Sequence, residues 1–165
     1  MPHLWLIWLL FVTVYDIRQR RVPNWLVLVG AAFAIGVLAM NAQPFGVKWT
    51  EALMGSALGF GFLLLFYVVG LMGAGDVKFA GALGLWVGWH PLLPIWAMAS
   101  LLALVHGALW LFLHRWPWFP QLALLLSGKP RGDDTTGLHK RARPIPYAAY
   151  LALAAAVWMV WGRQS

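Results

Sequence analysis

Apolar residues run along this chain in long unbroken blocks, punctuated by short stretches rich in glycine, proline or charge. Six blocks can be drawn, over about Pro2–Tyr15, Trp25–Met40, Ala52–Leu71, Val77–Trp89, Leu92–Leu113 and Ile145–Trp161. A segment apolar on every face is a buried helix or a membrane span, and about 20 such residues cross a hydrocarbon core. Ala52–Leu71 and Leu92–Leu113 meet that length, whereas Pro2–Tyr15 and Val77–Trp89 fall short of it. The pattern predicts an all-α polytopic membrane protein, a compact bundle of about six transmembrane helices forming one domain over residues 1–165. Gly55 and Gly59 in the third block, and Gly84 and Gly88 in the fourth, have the small-xxx-small spacing that lets helix backbones approach closely.

Composition strengthens the membrane reading. Of 165 residues, 62% are hydrophobic, 12 are Trp and only 10% are charged, against about 25% charged in soluble domains. With no cysteine, disulfides, cysteine zinc sites, iron–sulfur clusters and thiol catalysis are excluded. The histidines His3, His90, His106, His114 and His139 are scattered and form no HExxH, so neither a metal nor a cofactor is expected.

The +7 net charge reads as membrane orientation rather than as a nucleic-acid surface. No Lys or Arg precedes the first apolar block, which is the wrong polarity for a cleavable signal peptide. If that block is a retained helix with its N-terminus outside, the inward loops hold Arg18, Arg20 and Arg21, then Lys78. They also hold Arg115, Lys129, Arg131, Lys140, Arg141 and Arg143, leaving only Lys48 and Arg163 outside. This is the positive-inside asymmetry, and it makes residues 115–143 a cytoplasmic loop facing the lipid head groups of the bilayer.

Five acidic residues remain to be placed. Glu51 opens the third block, where a helix N-terminus favours negative charge, and Asp133 and Asp134 fall in the inward loop. Asp16 closes the first block and Asp76 precedes the fourth. Both blocks reach only about 20 Å at 1.5 Å per residue, so both carboxylates are expected at one depth, slightly inside the cytoplasmic boundary. Two carboxylates brought together share a proton. The ionised one can then activate water while the protonated one polarises a carbonyl, which is aspartic-protease chemistry. Gly73 and Gly75 leave room for a substrate backbone beside Asp76.

Plainer roles stand beside these. Asp76 is well placed as a helix N-cap, and Asp16 as a boundary residue neutralised by Arg18 or Arg20. Lys78 either snorkels to the interface or biases the nearby dyad; Pro23 and Asn24 either start a helix or line the site. His106 is a packing residue or a proton carrier.

The run Asp16-Ile-Arg-Gln-Arg-Arg-Val-Pro-Asn24, and Gly73-Ala-Gly-Asp76-Val-Lys78 at the head of a later helix, resemble the two aspartate motifs of the type IV prepilin peptidases, the GxGD membrane aspartic proteases. Arg143-Pro-Ile-Pro-Tyr147 also looks like that family, and the likeness extends over essentially the whole chain. The resemblance implies catalysis by Asp16 and Asp76, with Gly73, Gly75, Lys78, Pro23 and Asn24 in support. It implies removal of a short basic leader from prepilin or pseudopilin substrates at the cytoplasmic face of the inner membrane, within a pilus or secretion machinery. Larger members carry paired CxxC motifs and also methylate the new N-terminus; the absence of cysteine suggests a peptidase-only form similar to that of tight-adherence (Flp) pilus systems. An archaeal-type preflagellin peptidase has a similar short layout. A proton-coupled transporter using the same aspartates and a scaffold with an aspartate N-cap are the rivals from other classes.

Overall fold

The computed structural model describes residues 2–19, 21–115 and 146–161, and these form six helices. They are α1 (Pro2–Gln19), α2 (Asn24–Ala39), α3 (Trp49–Val68), α4 (Ala74–Val87), α5 (Leu92–Arg115) and α6 (Tyr147–Trp161). The expected 115–143 loop lies outside the described residues apart from Arg115, which ends α5. Arg20 lies outside them as well.

Three of the boundaries that differ from the apolar blocks do so for a local reason. Helix α1 runs on through Asp16 to Gln19, making 18 residues, because hydropathy falls there without any residue that breaks a helix. Asp16 is therefore inside α1, and the shortness inferred for the first block belongs to its apolar run alone. Helix α3 starts at Trp49, where the Glu51 carboxylate accepts the Lys48 N–H at 3.3 Å. Helix α4 starts at Ala74, so Asp76 is its third residue rather than its cap.

Helix α4 is the centre of the bundle. It packs most extensively against α3, and also against α2 and α6. Every residue from Phe79 to Val87 is buried, which explains why its sequence is apolar on all faces. The glycines set the closeness of α3 and α4. A β-carbon built on Gly55 would lie 2.6 Å from the Gly84 carbonyl oxygen, and one on Gly59 would lie 2.5 Å from that of Ala80. The paired small-residue spacings thus meet each other across one interface. Gly88 closes α4 at φ 75°, a left-handed conformation that favours glycine.

Tryptophans join the other helices. The Trp8 indole donates to the Leu26 carbonyl at 2.9 Å and the Trp86 indole to the Gly30 carbonyl at 3.0 Å, both on α2. Gly30 leaves the space that the Trp8 ring fills. Phe62 and Trp96 stack at 4.6 Å between α3 and α5. Helix α6 packs against α5 and α1, and its Ala148, Ala149, Ala152 and Ala155 are fully buried. Outside this core, large apolar side chains are exposed, including Leu53, Leu65 and Val68 on α3 and Leu93, Leu104 and Phe112 on α5. Two segments, Trp49–Val68 and Leu92–Phe112, are long and apolar enough to cross a membrane.

Candidate active site

Asp16 is the buried charged residue among the described side chains, at 2% exposure. Its carboxylate accepts the Ala149 backbone N–H at 2.8 Å. Ala149 is the third residue of α6, so that N–H belongs to a helix first turn and has no partner within its own helix. Asp16 supplies that partner from α1, 133 residues away in sequence, and places its charge at the positive end of the α6 dipole.

Asp76 sits in the first turn of α4. The cap of that helix is Gly73, extended at φ −84° and ψ 146°, and the Asp76 carboxylate reaches back to accept the Gly73 N–H at 3.1 Å. The Tyr147 hydroxyl, at the start of α6, shares a 3.3 Å hydrogen bond with Ser100 of α5. Asp16 therefore addresses the first turn of α6 through the Ala149 amide, while Asp76 closes onto the cap of its own helix.

The residues around them are drawn together as well. Pro23 is the extended residue before α2, at φ −67° and ψ 140°, and its carbonyl accepts the Leu26 N–H at 3.1 Å. This is the helix-starting role. Asn24 opens α2 and its side-chain oxygen accepts a hydrogen bond from the Lys78 ammonium at 3.0 Å. Gly75 lies against the α1–α2 connection: a β-carbon there would come within 3.3 Å of the Val22 nitrogen and 3.4 Å of its carbonyl oxygen. The side of Gly75 that sequence reasoning left open for a substrate is thus faced by the chain's own backbone. What the glycine permits is the docking of one aspartate motif on the other.

His106 is engaged by Tyr150, with 2.6 Å between its Nδ1 and the phenol oxygen, in the packing between α5 and α6. Among the described residues, no cluster of three or more His, Cys, Asp or Glu is gathered to hold a metal ion. Sequence reasoning missed Val22, Ser100 and the amide of Ala149. Each acts over a long sequence separation, so that although Val22 lies within the Asp16–Asn24 run nothing local marked its role.

The family model described as the type IV leader peptidase family matches residues 3–108, a span holding both aspartate motifs. A prepilin leader peptidase/N-methyltransferase of Xanthomonas campestris pv. campestris is 34% identical over 161 residues, covering 89% of this chain and 45% of the relative. Proteins of the same name from Aeromonas salmonicida and Stutzerimonas stutzeri are each 28% identical, over 95% and 94% of this chain. The chain spans about half the length of the curated relatives it matches. No solved structure matches it.

Proposed function

The chain belongs to the type IV leader peptidase family, and from that premise we propose that it is a membrane-embedded aspartic endopeptidase cleaving the short basic leader from prepilin-like proteins. Asp16 and Asp76 are its catalytic pair. One carboxylate, ionised, takes a proton from water as the oxygen attacks the scissile carbonyl. The other, protonated, donates to the carbonyl oxygen, and the pair then returns a proton to the leaving amine. No cofactor takes part in this scheme.

The observation that carries the reading is the convergence of two motifs far apart in sequence. Gly75 seats on Val22, Lys78 binds Asn24, and Asp16 holds the first turn of α6. The substrate class, prepilin leaders, is taken from the prepilin leader peptidases among the chain's relatives. The exposed apolar faces of α3 and α5 and the distribution of Lys and Arg support a multi-pass protein of the inner membrane. In that orientation the N-terminus is outside and the site opens to the cytoplasm. Leader cleavage is the part of the relatives' name taken up here; methyl transfer is not assigned to these residues.

The test is leader removal from a prepilin by the purified protein in lipid, followed by gel shift and N-terminal sequencing. Wild type should cut just before the hydrophobic segment, and Asp16→Asn and Asp76→Asn, each with a retained thermal transition, should not. Cleavage by either variant at the wild-type rate would rule out the two-aspartate mechanism.

A further inference from the structure

Helices α1 and α4, which carry the two aspartates, meet through the rings of Trp5 and Trp8 on α1 and of Phe79 and Trp86 on α4; α1 otherwise packs mainly on α6, and α4 on α3 and α2. Trp5 and Trp8 lie two turns or more before Asp16 on α1, so beside the carboxyls themselves the spacing also depends on two other elements. On one side is the first turn of α6, held by Asp16 through Ala149. On the other is the connection from α1 to α2, whose Val22 backbone rests on Gly75, one residue before Asp76. A side-chain hydrogen bond pins the start of α2 to α4, that from Lys78 to Asn24 at 3.0 Å. Lys78 is two residues past Asp76 on a helix of 3.6 residues per turn, so its side chain leaves α4 on a different face from the carboxylate. Its ammonium is directed at the neighbouring motif.

Resting on the dyad reading above, we propose that Lys78 and Asn24 form a latch that sets the spacing of the two carboxyls, Lys78 being a positioning residue that acts through its bond to Asn24. The latch holds the α1–α2 connection on Gly75. Releasing it leaves each aspartate in its own helix, with its own backbone hydrogen bond, and leaves the aromatic contacts of α1 with α4 in place, but loosens the end of α1 that carries Asp16 relative to Asp76. Misplacement of reacting groups by about 1 Å costs on the order of a hundredfold in rate, so a loosened latch lowers turnover while leaving substrate binding in place.

The test uses the full chain in lipid with one prepilin, measuring kcat and KM for Lys78→Met, Asn24→Leu, the double variant and Asn24→Asp. Asn24→Leu removes the acceptor and keeps the Lys78 charge; Asn24→Asp keeps an oxygen acceptor. The latch predicts that Lys78→Met and Asn24→Leu each lower kcat by roughly tenfold or more with KM unchanged. The double variant should lose no more than either single one, because both remove the same bond. Asn24→Asp should recover the turnover that Asn24→Leu loses. The inference is overturned if Asn24→Leu turns over as wild type while Lys78→Met fails, which would mean the charge acts on its own. It is equally overturned if the losses multiply in the double variant, or if KM rises with kcat constant. Asp16→Asn and Asp76→Asn run in parallel separate the two levels of the argument: if they cleave, the dyad itself fails, whatever the latch variants do.

Discussion

Replacing Gly84 by alanine adds one methyl group to a backbone-to-backbone contact between α3 and α4. The new β-carbon would fall 2.6 Å from the Ser56 nitrogen and closer still to the Gly55 carbonyl, atoms of backbone that cannot rotate away. To reach ordinary van der Waals separation, α3 and α4 must part by roughly an ångström. Overpacking of this kind costs about 1–3 kcal/mol, and occasionally more. Here the crowded atoms are backbone, so the upper part of that range applies. An internal control comes from Gly36 on α2, where an added β-carbon meets nothing within 4 Å. Alanine there relieves only the helix penalty of glycine, a gain of up to about 1 kcal/mol. Thermal unfolding of the detergent- or lipid-solubilised protein should thus move in opposite directions, clearly down for Gly84→Ala and level or slightly up for Gly36→Ala. Since α4 carries Asp76, Gly84→Ala should also depress cleavage below the temperature at which it unfolds. A Gly84→Ala protein melting with wild type would refute the close-packing argument.

Three further outcomes are expected. Asp16→Ala should melt lower by about 1–3 kcal/mol, since it leaves the Ala149 N–H without its acceptor, whereas Asp16→Asn keeps an oxygen there and should melt near wild type. Trp86→Phe strips the hydrogen bond to the Gly30 carbonyl and part of the ring packing on Trp5 and Trp8. Its transition should fall by a similar amount, about 1–3 kcal/mol, and an unchanged transition would show that the indole N–H is idle. Tyr150→Phe removes the 2.6 Å bond to His106; it should lower the melting temperature modestly and leave the cleavage rate at fixed substrate unaltered, which a gel assay reads directly.

The number and type of helices were legible because runs of apolar residues leave few alternatives, and all six blocks coincide with helices in the described residues. Helix ends were less legible. Hydropathy stops at Tyr15, yet the hydrogen-bond ladder of α1 continues through Asp16 to Gln19. Likewise Asp76 reads as a cap from its neighbours, but Gly73 takes the cap and Asp76 closes back onto it. The two aspartates were visible as charges out of keeping with their surroundings. Their surroundings were not, because Ala149 reaches Asp16, and Val22 reaches Gly75 beside Asp76, through the tertiary fold, and neither an alanine amide nor a valine backbone carries any mark in sequence. At Gly75 the local argument asked for close approach of a substrate, and the backbone that faces the position of its missing β-carbon, within 3.3 Å, is that of Val22.

Helix α4 has 14 residues, a length of about 21 Å, well short of a hydrocarbon core of about 30 Å. A helix so short would be poorly matched to lipid on its own, but protein covers α4 nearly all round. If the chain spans a bilayer as proposed, adjustment to membrane thickness falls on α3 and α5, of 20 and 24 residues, whose exposed apolar faces would meet lipid and which can tilt. The helix bearing Asp76 would then be relieved of matching the bilayer itself. Its carboxylate would take its level from α3, α2 and α6, the helices packed on α4, and a change in acyl-chain length would reach it through their tilt.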